Sequence, residues 1–576
     1  MTIRQFFMPL TLGVLSLSCA WGQQYTINTY AGNRSAGFSG DGGAPTSAQL
    51  NLPLGLALDS SGNLYIVDSL NQRVRKISGG NISTVAGNGT AGYSGDGAAA
   101  TSAEMLNPSG VAVDSSGNIY IADTSNHVIR MVNSGGTIST FAGTNVGGYS
   151  GDGGAANLAQ LDLPTGVAVD KSGNVFIADS GNNVIREVSG GNIKTVVGTV
   201  PGQFLNDPES VLVDSSGNLF ISEQSGYRIS KFSNGTLTVL AGNGNIGFSG
   251  DNGPGTEASL DEPTGIALDS KGYLYICDTI NSRIRKLSPE GIITTIAGLG
   301  NPGYFGDGGP ATNSLLFFPR GIVVDASGNV YIADTDNNII RELKPVTPAI
   351  NAGGVVNAAS FTAQVSPGAL ASIFGLNFTG TGLDAIASLP LPASLGGVSV
   401  LVNDVAAPVL YASSNQINFQ IPWQTKTGSA TVAVGINGLV STKVNITVEA
   451  AAPGLFVDGS HAIAQNSDFS LNSSSNPAKV GGTILAYLTG AGDVSPRPAN
   501  GAAAGSSPLS TVTSTVSATI GGQTAKVSFA GLAPGFVGLW QVNVVVPSGL
   551  TTAGNFPLTI TAGGQSSNTA NVSVTP

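Results

Sequence analysis

The sequence is poor in the residues that build metal centres and disulfides. Its 576 residues include two cysteines and two histidines, His127 and His461. Catalytic zinc sites use about three protein ligands, and these are often histidines. The count therefore excludes a histidine-bound zinc centre. Neither histidine stands in a motif that pairs it with a Ser or Cys nucleophile, so the sequence predicts no catalytic residue.

Charged residues are also scarce, and positive charge is scarcer than negative. Lys and Arg number 23 and Asp and Glu number 34, which gives a net charge of −11. Nucleic-acid affinity comes chiefly from Lys and Arg side chains that neutralise phosphates. Five arginines recur in predicted strands, each beside acidic neighbours: Arg75, Arg130, Arg186, Arg285 and Arg341. We therefore expect no nucleic-acid partner.

The longest apolar run is shorter than the about 20 residues that a membrane-spanning helix needs. It extends from Phe6 to Leu17 after Arg4, and small residues follow up to Gly22. This order is typical of a secretory signal peptide, so residues 1–22 are predicted to be cleaved. The mature protein is then expected to be secreted or held at the cell surface or in the periplasm, without a membrane span.

Cleavage near Gly22 removes Cys19 and leaves Cys277 without a partner for an intrachain disulfide. An alternative is a lipid anchor on Cys19, although Ser16 stands where such a motif has Leu. Cys277 precedes an Asp at a position where other copies of an internal repeat carry Ala or Val. We interpret it as a buried, unreactive thiol.

That repeat dominates residues 25–345. A proline followed by two short apolar runs recurs six times, at Pro53, Pro108, Pro164, Pro208, Pro263 and Pro319. Each copy continues with a third and a fourth run, and all four are rich in Val, Ile and Tyr, as β-strands are. Six units of four strands predict a six-bladed β-propeller. Copy six lacks a fourth run, and Tyr25–Gly32 has that pattern, so we expect the N-terminal strand to close the ring.

The pattern Pro-x-Gly-[Val/Ile/Leu]-Ala-[Val/Leu]-Asp-x-x-Gly-Asn, followed by Tyr-Ile-Ala-Asp-x-x-Asn, resembles the NHL repeat family. Five of the six copies match it well. The resemblance implies an all-β fold with a six-bladed NHL propeller. Some propellers of related sequence are enzymes: a gluconolactonase-like group holds a divalent cation, and an amidating lyase uses zinc. The resemblance alone leaves open whether this chain binds or catalyses.

Two sets of loops are predicted to share one face of the ring. The fourth-to-first loops are long and carry Gly-[Phe/Tyr]-[Ser/Phe]-Gly-Asp; the aspartates are Asp41, Asp96, Asp152, Asp251 and Asp307. We interpret the aromatic residue as a plug between blades and the Asp as a cap for the glycine turn. Long loops on a rigid scaffold are also where binding residues tend to lie, so this long-loop face is the predicted binding face.

The second-to-third loops add a ring of acids and amides to this face. Its members are Asp68, Asn71, Asp123, Asn126, Asp179, Asn182, Asp278, Asn281, Asp334 and Asn337. Such a ring has the chemistry to bind sugar hydroxyls, peptide amides or a cation such as Ca²⁺. The alternative is that each Asp and Asn ties down its own turn.

Copy four departs from the repeat. The loop before it is shorter than the others, and Glu223, Gln224, Ser225 and Gly226 replace Asp-x-x-Asn. One hypothesis is that the short loop leaves a notch through which a ligand reaches Glu223, Tyr227 and Arg228. The alternative is drift of a single repeat.

The last part of the chain follows a different pattern. Alternating runs that end at Pro422 and again at Pro547 predict two Ig-like β-sandwiches, residues 346–450 and 451–576. This half resembles an uncharacterised C-terminal region of exported acidobacterial proteins, with local similarity to IPT-type domains. The resemblance implies a spacer or a surface-attachment module.

Together these features favour an exported binding or scaffold protein that uses the long-loop face to bind a protein or a carbohydrate, without a cofactor. The alternative is a gluconolactonase-like or lyase-like enzyme with Ca²⁺ or another divalent cation in the central channel.

Overall fold

The computed structural model describes residues 25–378, 385–436 and 439–576. The predicted signal peptide and Cys19 lie outside these residues. The chain divides into two compact units, the first ending at Val346 and the second running from Thr347 to Pro576. Regular structure is almost entirely β-strand, so the all-β prediction is confirmed. In the described part of the chain, no helix has the length and apolarity to cross a bilayer.

The first unit is a ring of six antiparallel sheets, or blades, of four strands each; blade five also holds a two-residue strand, β18. The strands are β1 (Tyr25–Ala31), β2 (Pro53–Leu58), β3 (Leu64–Asp68), β4 (Arg73–Ser78), β5 (Asn81–Ala86), β6 (Val111–Val113), β7 (Ile119–Asp123), β8 (Val128–Val132), β9 (Ile138–Ala142), β10 (Pro164–Val169), β11 (Val175–Asp179), β12 (Val184–Ser189), β13 (Asn192–Val197), β14 (Pro208–Val213), β15 (Leu219–Glu223), β16 (Arg228–Ser233), β17 (Thr236–Ala241), β18 (Gly253–Pro254), β19 (Pro263–Leu268), β20 (Leu274–Asp278), β21 (Arg283–Leu287), β22 (Ile292–Ala297), β23 (Pro319–Val324), β24 (Val330–Asp334) and β25 (Ile339–Pro345).

The N-terminal strand closes the ring, as predicted. Strand β1 pairs antiparallel with β25, with Tyr25 opposite Pro345 and Ile27 opposite Leu343. It completes blade six in the order β1-β25-β24-β23. The backbone of Ile27 also bonds the long loop before blade six, since its N–H donates to the Gly309 carbonyl at 3.1 Å. Both edges of β1 are thereby satisfied.

Tyr25 also connects the closing strand to blade five. Its hydroxyl lies 3.1 Å from the Tyr275 hydroxyl and accepts a hydrogen bond from Lys286 Nζ at 3.3 Å. The Lys286 ammonium lies 4.2 Å from the Tyr273 ring centroid and 4.9 Å from that of Tyr275. Burial lowers the pKa of Lys286 to about 8, while contact with aromatic faces favours its charged form. The N-terminal strand therefore contacts two blades.

No blade has a hydrophobic core of its own. Successive residues of a strand point to opposite faces of the sheet, so Ile119 and Ile121 pack in the cluster between blades one and two. Tyr120 and Ala122 pack in the cluster between blades two and three. The other four junctions repeat this arrangement. Cys277 is buried in the cluster of blades five and six, where burial raises the pKa of its thiol.

The glycine of Pro-x-Gly lets the innermost strands approach one another closely. A Cβ added to Gly265 would lie 2.2 Å from the Arg320 carbonyl oxygen, and one added to Gly321 would lie 1.9 Å from that of Leu54. A side chain at Gly265 or Gly321 would push the neighbouring blade away. Blade four has Ser210 at this position.

Single 3₁₀ turns occur in the loops, at Pro45–Ser47, Ser69–Asn71, Ala100–Ser102, Thr124–Asn126, Ala156–Leu158, Ser180–Asn182, Gly255–Glu257, Ala311–Asn313 and Thr335–Asn337. The residue after the turn that follows a second strand takes a left-handed conformation; in blade six this is Asn338, with φ of 55°. The Asn338 side chain accepts the Leu52 N–H of blade one at 2.9 Å. Such bonds join one blade to the next.

The second unit consists of three further sheets. Its strands are β26 (Ala349–Asn357), β27 (Gln364–Val365), β28 (Leu370–Leu376), β29 (Ala385–Ile386), β30 (Ser394–Leu395), β31 (Val398–Val402), β32 (Val405–Ala407), β33 (Val409–Ala412), β34 (Gln416–Gln420), β35 (Gly428–Ile436), β36 (Leu439–Val440), β37 (Val444–Val448), β38 (Gly454–Leu455), β39 (Val457–Asp458), β40 (His461–Ala462), β41 (Ala464–Asn466), β42 (Ala478–Lys479), β43 (Thr483–Thr489), β44 (Val494–Ser495), β45 (Thr511–Val512), β46 (Val516–Ile520), β47 (Gln523–Leu532), β48 (Trp540–Val545), β49 (Gly554–Ala562), β50 (Gln565–Ser566) and β51 (Ala570–Thr575).

Strands β26 to β37 form a five-stranded and a seven-stranded sheet, and strands β38 to β51 form a sheet of 14 strands. Ile373, Phe378 and Phe419 belong to the core between the first two sheets. Trp540 lies in the core of the 14-stranded sheet, with its ring 6.0 Å from that of Trp423. The assignment of two Ig-like domains that meet at residues 450 and 451 stays a prediction.

Candidate functional site

The two predicted sets of loops lie on one face, as expected. In blade one the Asn71 side-chain amide, after the second strand, donates to the Gly37 carbonyl of the long loop at 2.7 Å. Asn126, Asn182, Asn281 and Asn337 make the equivalent bond at 2.8–2.9 Å in their blades. The long-loop face is therefore built from both sets, held together by side-chain amides.

A buried arginine organises this face in five of the six blades. In blade one the guanidinium of Arg75 bonds Asp41 at 2.6 Å and Asp68 at 3.2 Å. The side chains of Arg75 and Asp68 are fully buried, whereas that of Asp41 is 38% exposed. The equivalent sets are Arg130 with Asp96 and Asp123, Arg186 with Asp152 and Asp179, Arg285 with Asp251 and Asp278, and Arg341 with Asp307 and Asp334.

The inner aspartates are saturated with intramolecular partners. Asp68 accepts the Asn51 backbone N–H at 2.7 Å and the Asn71 amide at 2.8 Å, in addition to Arg75. Burial raises the pKa of the equivalent Asp123, Asp179, Asp278 and Asp334 to about 6. These contacts give each Asp and Asn of the predicted ring a role in holding its loops. A direct contact of these side chains with a ligand stays a prediction.

The long-loop motif is built around the same arginines. The aromatic ring of the motif stacks on the guanidinium, as Tyr93 does on Arg130 at 5.1 Å and Tyr149 on Arg186 at 5.0 Å. The Tyr149 hydroxyl also lies 2.9 Å from the Thr195 hydroxyl, in the fourth strand of the same blade as Arg186. These contacts fix the long loop onto the blade that follows it. The interpretation of the aromatic residue as a plug between blades stays a prediction.

Blade four achieves the same neutralisation with different residues. Ser230 stands where the other blades carry the buried arginine, opposite Ile221 in the sheet. Glu223 is fully buried and bonds Arg228 at 2.8 Å, and it also accepts the Asn206 N–H at 3.0 Å. Tyr227 takes the left-handed conformation, with φ of 53°. A ligand entry beside Glu223, Tyr227 and Arg228 stays a prediction.

His127 connects two blades. Its Nδ1 accepts the Leu163 N–H at 3.1 Å and lies 3.2 Å from an Asp162 carboxylate oxygen. Gln72, Asn183 and Asn338 make the equivalent bond to the following blade. His127 is therefore one member of a repeated interblade contact, and its side chain is 24% exposed.

The innermost strands enclose a channel along the axis of the ring, with a cavity of about 310 Å³. Each blade places the residue after its repeat proline on this channel: Leu54, Ser109, Thr165, Glu209, Thr264 and Arg320. We refer to these six residues as the channel ring. Unlike the proline before it, this position differs in chemistry from blade to blade. The channel ring therefore gives the otherwise repetitive propeller a different side chain in most of its blades.

The three hydroxyl residues of the channel ring are structural. Ser109 donates to the Thr165 carbonyl at 2.8 Å, Thr165 to the Glu209 carbonyl at 2.9 Å, and Thr264 to the Arg320 carbonyl at 3.0 Å. Each hydroxyl therefore bonds the channel-ring residue of the next blade. Leu54, Glu209 and Arg320 make no such bond, so their side chains remain available to a ligand.

Glu209 and Arg320 are the charged members of the channel ring. Within the described part of the chain, neither the Glu209 carboxylate nor the Arg320 guanidinium forms a side-chain hydrogen bond or an ion pair. Burial in the channel raises the pKa of Glu209 to about 7; Arg320 opposes this rise, and Asp207 and Glu262 add to it. Carboxyl groups with strongly raised pKa values in cavities are candidates for functional residues.

Glu209 should leave a signature in the pH dependence of stability. Its pKa is about 7 in the folded chain against a usual value of 4.5, so the native state keeps a proton that the unfolded state releases. Its contribution to stability is complete below about pH 4.5 and is lost as the pH rises to about 7.

We expect wild type to lose stability relative to Glu209→Gln between about pH 5 and about pH 8. Chemical denaturation across this range measures it, with Glu290→Gln on the opposite face as the control. Parallel curves for wild type and Glu209→Gln would contradict the assignment.

Sequence reasoning missed the channel ring. The Asp and Asn residues of the second-to-third loops repeat from copy to copy, and in the structure this repetition reflects their role in holding the loops. The signal that was present is the variable x of Pro-x-Gly, which reads Leu, Ser, Thr, Glu, Thr and Arg in successive copies.

The geometry offers few ligands for a cation. Among residues 25–378, 385–436 and 439–576, no group of three or more His, Cys, Asp or Glu side chains is arranged to hold a metal. Calcium takes about six to eight oxygen ligands, whereas Glu209 is the single carboxylate of the channel ring and shares it with Arg320. The residues present therefore fit a divalent cation poorly.

Comparison with known families gives matches in the first unit. The Teneurin NHL domain profile matches residues 89–150, 147–209 and 244–302. The NHL repeat profile matches residues 50–77 and 318–341. Together the matched segments reach from blade one to blade six.

Curated relatives align over about half of the chain. Protein SUPPRESSOR OF QUENCHING 1, chloroplastic, of Arabidopsis thaliana is 29% identical over 312 residues, which is 52% of this chain and 25% of the relative. Human Teneurin-4 is 30% identical over 333 residues, or 50% of this chain and 10% of the relative. NHL repeat-containing protein 2 of Bos taurus is 28% identical over 338 residues, or 53% of this chain and 40% of the relative. The chain thus spans less than half the length of each.

Solved structures with a similar fold have low sequence identity to this chain. An auxiliary nutrient binding protein from Bacteroides thetaiotaomicron has a TM-score of 0.43 at 17% identity, covering 56% of this chain and 77% of that one. A streptogramin B lyase has a TM-score of 0.37 at 15% identity, covering 57% and 99%. A gluconolactonase from Xanthomonas campestris has a TM-score of 0.37 at 13% identity, covering 58% and 93%. We draw no functional argument from these likenesses. The strand order and the family matches together show that the N-terminal half of the chain is an NHL-repeat β-propeller region.

Proposed function

We propose that this chain is an exported, non-enzymatic binding protein whose propeller captures a protein or carbohydrate partner at the mouth of the channel on the long-loop face. The partner would be met at the cell exterior. The second unit, with its predicted Ig-like domains, would act as a spacer or attachment module. The observation that carries the proposal is the pair Glu209 and Arg320: two unpaired charges of opposite sign on the channel, in a ring whose five repeated arginines are all internally paired.

Two further features support a binding role. The five Arg–Asp–Asp sets give the long-loop face a rigid frame, and binding residues work best when a rigid scaffold positions them. The Glu209 carboxylate and the Arg320 guanidinium are half-buried in the channel. They gain more from a ligand than fully exposed groups do, because their interactions are less screened.

The test is an array of glycans and peptides probed with the intact chain. We expect spots bound by wild type to weaken at least about tenfold in a Glu209→Gln/Arg320→Gln variant, since one charge-assisted hydrogen bond contributes about 1.5–3 kcal/mol. The matched control is Glu290→Gln/Lys271→Gln, which removes one exposed charge of each sign from the turns of the opposite face. Equal binding by all three proteins would refute the channel mouth as the site.

A second candidate is a lyase-like or gluconolactonase-like enzyme. The observation that favours it is the Glu209 carboxyl, whose pKa of about 7 suits a general acid or base near neutral pH. Because the channel fits a divalent cation poorly, such an enzyme would have to rely on Glu209 and Arg320. If the chain hydrolyses a lactone and the Glu209→Gln variant does not, the result would favour this enzyme candidate over a pure binding protein.

A further inference from the structure

The outer edge of each blade is its fourth strand, and in five blades the preceding long loop covers that edge. In blade three, the Ile193 N–H donates to the Gly154 carbonyl at 2.9 Å, and the Gly153 N–H donates to the Ile193 carbonyl at 2.7 Å. The isoleucines at this position in blades one, two, five and six bond their own loops in the same way: Ile82, Ile138, Ile293 and Ile27. The long loop therefore pairs with the edge as a further strand would.

The fourth strand of blade four, β17, lacks this cover. Leu237 takes the position that Ile193 has in blade three. In the described part of the chain, no group bonds the Leu237 N–H or carbonyl. The shortened loop before blade four reaches this edge through the Gln203 side chain, which donates to the Gly235 carbonyl at 2.7 Å. It therefore holds the turn before β17 and leaves the strand itself open.

A second position of β17 is open as well. In blade three the loop aspartate Asp152 accepts the Thr195 N–H of the fourth strand at 3.1 Å. Blade four has neither this loop aspartate nor the buried arginine that holds it, and Val239 takes the place of Thr195. Val239 is 39% exposed, and Leu237 is partly exposed where the five isoleucines are at most 1% exposed. Leu237 and Val239 therefore direct backbone N–H and carbonyl groups outward along one edge.

The composition of β17 favours pairing with another strand. Its six residues, Thr236–Ala241, carry no charge and include two threonines and a valine, which suit a β-strand. Natural edge strands often avoid pairing with another chain by carrying a charged residue, especially Lys. Blade three has Lys194 at the position of Thr238, with its side chain 60% exposed. Strand β17 has no such charge.

We propose that β17 pairs antiparallel with β17 of a second copy of this chain, which joins two fourth blades into one eight-stranded sheet. Leu237 and Val239 lie symmetrically on either side of Thr238. With Thr238 of both copies at a two-fold axis, each Leu237 exchanges its outward backbone bonds with Val239 of the other copy. The two Thr238 side chains then face each other, and such a cross-strand pair is favourable.

A second copy is a better occupant than a foreign strand because it supplies the matching edge. Loops cover five of the six blade edges, so β17 gives each propeller one blade edge for strand addition. Pairing of two β17 strands uses that edge in both copies, which gives a closed dimer rather than a fibre. The strand is uncharged, so the net charge of −11 does not oppose the contact locally. This inference does not depend on the ligand at the channel mouth.

The first test measures the mass of the intact chain by sedimentation equilibrium over a range of concentrations. We expect a monomer–dimer equilibrium in wild type and a dissociation constant at least about tenfold larger in Thr238→Lys, because two ammonium groups would face each other at the axis. Blade three carries Lys at this position, so the variant should fold, and an unchanged thermal transition checks this. The control is the reverse exchange in blade three, Lys194→Thr, which should leave the dissociation constant unchanged.

The second test detects the contact without weakening it. Thr238→Cys places a thiol of each copy at the two-fold axis, in a non-hydrogen-bonded pair whose Cα atoms lie about 4.5 Å apart. A disulfide spans that distance. We expect mild oxidation to link Thr238→Cys chains into covalent dimers, whereas Lys194→Cys, equally placed on a covered edge, should stay monomeric on a denaturing gel. Cys277 is buried and does not compete.

Three outcomes would overturn the proposal. They are a wild-type chain that stays monomeric at its highest soluble concentration, a dimer that Thr238→Lys leaves intact, and crosslinking of Lys194→Cys as extensive as that of Thr238→Cys. If wild type is monomeric and a protein partner is lost in Thr238→Lys, the edge takes a foreign strand and the assignment of a second copy is wrong.

Discussion

A chain that begins at Gly32, and therefore lacks β1, loses the cooperative unfolding transition of the propeller. Strand β1 completes blade six, and Tyr25 and Ile27 are buried in the cluster between blades five and six. Burial of two such side chains contributes roughly 3–6 kcal/mol, against a typical total stability of about 5–15 kcal/mol. Deletion also exposes the edge of β25, a template for aggregation. Thermal unfolding followed by circular dichroism, with light scattering, measures both effects.

The control for this deletion is a chain that begins at Tyr25, which keeps β1. A rescue variant carries Tyr25–Ala31 after Val346, joined by a glycine-rich turn. Because Tyr25 lies opposite Pro345 in the antiparallel pair, the moved strand can fold back as a hairpin and fill the same place. Recovery of the transition would show that the strand, not its position in the chain, is needed. If the Gly32 chain unfolds like the control, the ring does not depend on its closing strand.

Replacement of one buried arginine should destabilise the propeller by about 3–5 kcal/mol, the usual effect of leaving a buried charge unpaired. Arg186→Met removes the cation that Asp152 and Asp179 share, and Asp179 is fully buried. The guanidinium also donates to the Ser150 carbonyl at 3.1 Å and the Gln160 carbonyl at 3.3 Å. These bonds hold the long loop against the second strand. Urea denaturation of the variant measures the loss.

Two companion variants separate the buried charge from other effects. The double variant Arg186→Met/Asp179→Asn also removes the Asp179 carboxylate, which the single variant leaves buried without its cation. It should recover part of the lost stability. Lys194→Ala removes an exposed cation of the same blade, whose side chain is 60% exposed and pairs with Glu187, and should change stability by less than about 1 kcal/mol. A loss for Arg186→Met as small as that for Lys194→Ala would show that the buried network contributes little.

Much of the propeller could be predicted from the sequence because its information is local and repeated. Four apolar runs per copy fix the strands, and the six prolines fix the number of blades. The closing role of Tyr25–Ala31 followed from counting strands, since copy six ended one short. The common face of the two loop sets followed from strand direction alone. These arguments needed no knowledge of side-chain contacts.

The candidate site was harder to predict because it depends on which repeated polar residues are buried. Asp68 and Asn71 have the chemistry of a ligand ring, yet the structure buries Asp68 against Arg75 and turns the Asn71 amide onto the backbone of a loop 34 residues away. Nothing in a single copy shows this. Glu209 and Arg320 come to one channel only when the ring closes, and they are far apart in the sequence. The sequence signal for them is that Glu209 and Arg320 are charged at a position where the other copies carry Leu, Ser or Thr.

The place of the closing strand also has a consequence for biosynthesis. Strand β1 is the first strand of the propeller to be synthesised, and its partner, Ile339–Pro345, follows about 300 residues later. At about 5–20 residues per second, translation of the intervening chain takes on the order of 15–60 s. During that interval β1 has no partner strand, and blade six remains incomplete while blades one to five can form. The propeller can therefore close only after the last strand of the ring, Ile339–Pro345, has been made.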